Sequence, residues 1–167
     1  LRKFGIKKVM LISFIAWFLR FGLLGIGYPT GFGLVLFVLS MIVYGVAFDF
    51  FNISGSLFVE QNTDIAIRNS AQGVFMMMTN GLGSTLGAFC AGWVVNHFTA
   101  RPLFALENAI HIEPYNFTWK NPGTIQAFNH YIQSWANAWY VFAAFALVLA
   151  VVFALVFKYK HEPQEAK

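Results

Sequence analysis

The sequence predicts an all-α membrane protein built from four transmembrane helices, and three observations carry that reading. Of 167 residues, 58% are hydrophobic and only 11% charged, whereas ordinary globular domains carry roughly 25% charged residues. Four apolar runs reach the length, about 20 residues, that a helix needs to cross a bilayer. The lysines and arginines behind the net charge of +4 sit at the ends of those runs. A nucleic-acid binder would instead spread them over one solvated face, so nucleic acid is not an expected partner. The single cysteine, Cys90, lies inside an apolar run and says nothing of the redox compartment.

Taken in order, Val9 to Gly27 would span roughly 28 Å as a helix, against a hydrocarbon core of ~30 Å. Tyr28-Pro29-Thr30-Gly31 reads as a turn. A second, longer span covers 33–59. The polar segment 60–70 carries Asp64 and Arg68 at i,i+4 spacing, which suits a short surface helix. The third span is 72–97. Residues 98–133, interrupted by Pro102, Pro114 and Pro122, read as a long irregular loop. Residues 135–157 form the fourth span, ahead of a polar tail. The chain opens on the basic cluster Arg2, Lys3, Lys7 and Lys8 without an initiating Met, and is expected to be the C-terminal portion of a longer protein.

Basic residues also set the expected orientation, because short cytoplasmic loops carry an excess of Lys and Arg. The opening cluster, Arg68, and the tail's Lys158, Lys160 and Lys167 fall on one side, with only Arg101 and Lys120 on the other. Residues 1–8, 60–70 and 158–167 are therefore placed in the cytoplasm, and the 28–32 turn and 98–133 loop outside. Trp135, Trp139 and Tyr140 would lie in the outer aromatic belt and Tyr159 near the inner one.

The most informative stretch is Met41 to Ser56. At 100° per residue, Gly45, Asp49, Asn52, Ser56 and Glu60 align along one stripe of a helix, with Tyr44 and Phe48 beside it. Asp49 alone among the seven acids is intramembrane. An ionisable residue at that depth usually faces a polar cavity or a partner. Burial favours the neutral form of a carboxyl group and a nearby cation favours the ionised form. Such a group can exchange a proton as its surroundings change, as a proton-coupled carrier requires. The competing reading is a structural acid paired with a base. Arg20 lies roughly 18 Å from the inner boundary and Asp49 roughly 16 Å, so an ion pair is one expectation. An arginine reaching the outer interface along its own stem is the other. Tyr44 and Phe48 offer an aromatic face to a ring-shaped solute, although in a chain with 20 phenylalanines such residues also serve packing.

Other features point elsewhere. Gly83 and Gly87 of the third span have GxxxG spacing, suited to close helix packing. A dinucleotide fingerprint would need a further glycine where Leu86 stands and a preceding strand. His97, His111 and His130 lack metal-site spacing, and neither a metal nor a cofactor is expected. An intramembrane enzyme would need a second acid, an HExxH motif or a nucleophile with its base, and none is present.

Three stretches resemble one family. The opening LRKFGIKKVML is similar to the second, degenerate copy of the basic cytoplasmic motif of the major facilitator superfamily. YGVAFDFFNISGSLFVEQ, and RNSAQGVFMMMTNGLGSTLG with GWVVNHF, resemble helices ten and eleven of the bacterial nucleoside:proton symporters (nucleoside permeases). The resemblance implies that the four spans are helices nine to twelve of a twelve-helix transporter in the inner membrane. It implies alternating access, with Tyr44, Phe48 and Asp49 on the cavity-lining tenth helix binding nucleoside and coupling it to a proton. Asn52, on the Asp49 stripe, joins them as a candidate. Expected partners are a nucleoside, a proton, the bilayer and the missing N-terminal helices. A symporter for a sugar or other polar solute, and a non-transporting four-helix scaffold, are the alternatives.

Overall fold

The computed structural model describes residues 5–111 and 122–158. Its helices are α1 (Gly5–Ile26), α2 (Phe32–Gln61), α3 (Arg68–Met76), α4 (Ser84–His111) and α5 (Pro122–Val156). A π-helical segment, Met77–Gly83, joins α3 to α4 without a break in the helical path. Among the described residues four helical runs are thus long and apolar enough to cross a membrane: Gly5–Ile26, Phe32–Gln61, Arg68–Ile110 and Pro122–Val156. The 30 residues of α2 reach about 45 Å and the 35 of α5 about 52 Å. Both exceed a hydrocarbon core of ~30 Å and must extend beyond it or tilt.

The irregular loop expected over 98–133 is corrected. α4 continues to His111 and α5 begins at Pro122, so helix occupies both flanks, and the remainder lies outside the described residues. Three prolines suggest a break, yet two of them act differently. Pro122 occupies the first position of α5, where a missing N–H is no loss. Pro102 is buried inside α4, and the helix runs on past it at the cost of one backbone bond. The short helix expected over 60–70 is also displaced, since α2 runs to Gln61 and α3 starts at Arg68. Arg68 pairs with Glu60 at 3.6 Å rather than with Asp64.

The turn between α1 and α2 falls where the sequence places it. Gly31 adopts φ +59, open to glycine at little cost, and a Cβ on Gly33 would collide with the Tyr28 backbone. The Tyr28 hydroxyl donates to Asn129 Oδ1, tying this turn to the start of α5.

α1 packs between α2 and α5, α4 packs on α5, and α3 folds back against α2. Among the described residues α2 and α4 do not touch. Most buried positions are small: Ser13, Ala16, Ser40, Ala47, Ser54, Gly55, Ala138, Ala143, Ala146 and Ala150. Small residues let helix backbones approach where burial from lipid supplies no hydrophobic drive between helices. Polar side chains complete these seams. Ser13 Oγ donates to Ala47 O at 2.6 Å across α1 and α2, and Lys7 Nζ donates to Ala154 O at 3.0 Å across α1 and α5.

Candidate functional site

The seam with α1 fixes which way α2 presents its stripe. Ala47 is fully buried there. Asp49 lies two residues on, about 200° around the helix, and so faces away from α1. Gly45, Asp49, Asn52 and Ser56 share that opposite face. At its far end Ser56 and Gln72 of α3 exchange two hydrogen bonds, Ser56 Oγ to Gln72 Oε1 at 3.0 Å and Gln72 Nε2 to Ser56 O at 2.7 Å. Phe75 of α3 packs over Gly55 beside this exchange. Further along, beyond α3, the face opens. Asn52 is half-buried, Asp49 is exposed, and nothing lies within 4 Å of a Cβ built on Gly45. The polar stripe therefore runs from the α3 contact into the space where α2 stands apart from α4.

The aromatic pair expected beside Asp49 is formed. Tyr44 and Phe48, one turn apart, have ring centroids 5.8 Å apart and tilted by 44°. Tyr44 is half-buried and Phe48 exposed. The Asn52 amide donates to Phe48 O at 2.9 Å, which holds its side chain along the helix and leaves its carbonyl oxygen available.

Arg20 does not form the ion pair anticipated for it. Among the described residues no salt bridge joins it to Asp49, and its guanidinium carbon lies 3.9 Å from the centroid of the Tyr44 ring. Trp17 and Phe21 stand at 5.1 and 5.7 Å. Helix register explains the difference. The contacts Ser13–Ala47, Trp17–Tyr44 and Phe14–Phe51 place Asp49 level with residues 11–16 of α1. Arg20 is thus at least a turn further along and on the other side of α2. Trp17 does not stand out in the sequence, although its i,i+3 spacing from Arg20 puts both on one face of α1.

The π segment is a second feature that sequence reasoning misses. Its wider turn disturbs the regular bonding of the helix, and hydroxyl groups supply extra donors to the carbonyls around it. Thr79 Oγ1 donates to Phe75 O at 2.8 Å, Thr85 Oγ1 to Gly81 O at 2.9 Å, and Ser84 Oγ to Asn80 O. Gly81 and Gly83 within the segment weaken α-helical preference. π-helical turns often mark functional positions. Gly87, which the sequence pairs with Gly83 for packing, has no neighbour within 4 Å of its Cβ position, and the run 81–90 is exposed throughout.

The described residues thus form an all-helical bundle of membrane-length helices with an acid and two aromatic rings along α2. Comparison with known proteins gives the class. The nucleoside H+ symporter family model matches residues 1–162, and the chain belongs to that family. It is 44% identical over its full length to the xanthosine permease of Escherichia coli, covering 33% of that protein. It is 48% identical over 161 residues to the nucleoside permease NupG of Escherichia coli, covering 32% of it. The crystal structure of the nucleoside transporter NupG superposes with a TM-score of 0.70 at 47% identity, over 95% of this chain and 32% of that one. The chain thus spans about a third of the length of the relatives it matches. Its four runs, long and apolar enough to cross a membrane, fit part of a multi-pass membrane protein.

Proposed function

We propose that this chain forms helices nine to twelve, the C-terminal third, of a twelve-helix major facilitator transporter that carries nucleosides with protons across the bacterial inner membrane. The chain's N- and C-terminal ends and the segment between α2 and α3 face the cytoplasm in this reading. The observation that carries it is the open face of α2, where Phe48, Asp49 and Asn52 lie on the side that α1 leaves free and Tyr44, packed against Phe48, borders it from the α1 seam. Family membership and the nucleoside permeases among the relatives support the substrate class.

In a complete transporter the N-terminal helices would close this face into a central hollow. A nucleoside base would stack on Tyr44 or Phe48, and its hydroxyl or amino groups would donate to Asp49 and to the Asn52 carbonyl oxygen. Two bundles rocking about this midplane site would expose it alternately to each side. Inward movement of the coupling proton supplies about 2.3 kcal/mol per 100 mV of membrane potential.

Uptake of radiolabelled uridine and adenosine by the full-length transporter in cells tests the reading. Uptake is expected to be saturable, to collapse with a protonophore, and to be lost in Asp49→Asn at normal membrane expression. Competition by sugars but not nucleosides would reassign the substrate. Normal uptake in Asp49→Asn would remove Asp49 from the site, and no uptake of any solute would favour a scaffold.

A further inference from the structure

Arg20 is a cation within a membrane-length helix, toward the C-terminal end of α1, and the structure gives it an aromatic setting in place of an acidic one. Its guanidinium lies against Tyr44 at 3.9 Å, with Trp17 and Phe21 around it. Its Nε is buried without a hydrogen-bond partner among the described residues. The surrounding rings are themselves held. Trp17 meets Tyr44 edge-on at 5.5 Å, and Phe21 is stacked on Trp139 at 6.1 Å and packed on Phe142 at 5.6 Å, both from α5. Rings of α1 and α2 therefore surround the guanidinium, and α5 backs Phe21.

We propose that Arg20 is a positioning residue of the solute site, acting through Tyr44; this rests on the assignment of Tyr44 to nucleoside binding above. The guanidinium covers one face of the phenol ring and Trp17 abuts it edge-on, so at most the opposite face is left for a flat solute. A planar cation on an aromatic face is well matched in shape and in charge, and the attraction strengthens away from water. It fixes the ring before the solute arrives, which lowers the ordering cost of binding. The cation also polarises the phenol, making its hydroxyl a stronger hydrogen-bond donor. Phe48, at 5.8 Å from Tyr44, is oriented in turn.

The test is a double-mutant cycle in the full-length transporter, reading initial rates of [3H]uridine uptake per transporter at the cell surface. Arg20→Met is expected to raise KM roughly three- to tenfold with little change in Vmax. In a Tyr44→Leu background the same change should add nothing, because the ring through which Arg20 acts is gone. Arg20→Lys keeps a cation but loses the planar stack, so its KM should fall between those of wild type and Arg20→Met. If Arg20→Met fails to reach the membrane, the Arg20→Lys cycle with Tyr44→Leu decides the same question. An unchanged KM, or effects of the two sites that multiply, would overturn the role of Arg20. Wild-type protein without uridine uptake would instead refute the nucleoside site, which keeps the two failures apart.

Discussion

Ser13 of α1 donates its hydroxyl to the carbonyl oxygen of Ala47 on α2, at 2.6 Å and out of contact with solvent. That contact turns Asp49 to the opposite side of α2, so the seam and Asp49 occupy two faces of one helix, with Tyr44 at the edge between them. Ser13→Ala should cost only about 0.6–1 kcal/mol, typical of a hydrogen bond between membrane helices. Ser13→Leu forces a branched side chain into a fully packed position and should cost roughly 1–3 kcal/mol. Thermal unfolding of the detergent-solubilised full-length transporter should rank Tm as wild type, then Ser13→Ala, then Ser13→Leu. Equal Tm values would show that the seam does not hold α2 in place.

Gly45 reports whether the open face of α2 looks into water or lipid. A Cβ there meets nothing within 4 Å, whereas Ala47 is completely covered. In a full-length transporter otherwise free of cysteine, Cys90 included, Gly45→Cys should react within minutes with a charged, water-soluble thiosulfonate. Uridine should slow the reaction, and Ala47→Cys should be inert. Labelling of Gly45→Cys by lipophilic reagents alone would turn this face to the bilayer and end the proposal for Asp49.

Phe75 of α3 lies over Gly55 of α2, where an added Cβ would overlap the tip of the ring. Gly55→Val should therefore push α3 away, strain the Ser56–Gln72 exchange and cost about 1–3 kcal/mol. Phe75→Ala makes room, so the double variant should be more stable than Gly55→Val alone. Such a sign of coupling is expected only for residues in direct contact. Additive losses in Tm would show that the two helices do not meet here.

Much of this arrangement is legible in the sequence, because apolar length and the Asp49 stripe depend only on local pattern. The four spans and the Tyr44–Phe48 pair follow from hydrophobicity and from helical spacing of 3.6 residues per turn. What escapes depends on contacts between helices or on what proline does in a particular place. Pro102 reads as a break, though the helix around it is carried on by apolar residues such as Leu103, Phe104 and Leu106. Depth counted from Lys8 and Glu60 sets Arg20 and Asp49 at one level, but only the cross-helix contact of Ser13 reveals their register and the turn of Asp49 away from α1. The π segment leaves no periodic signature, since its seven residues are too few to shift the hydrophobic pattern.

Two different ties hold α3 to α2, and they should differ in strength. Arg68 and Glu60 are joined at 3.6 Å, but their side chains are 35% and 49% exposed. Solvent screens such a pair, so Arg68→Gln should cost between 0 and about 1 kcal/mol and lose still more of its effect at high salt. Ser56 and Gln72 are part-buried and satisfy each other through two hydrogen bonds. Gln72→Leu removes both and leaves the Ser56 hydroxyl to find another acceptor, at a cost of about 1–3 kcal/mol. Hydrogen exchange over residues 68–76 should consequently rise much more in Gln72→Leu than in Arg68→Gln. The reverse order would make the ion pair the principal tie and would place this junction in a wetter setting than its packing indicates.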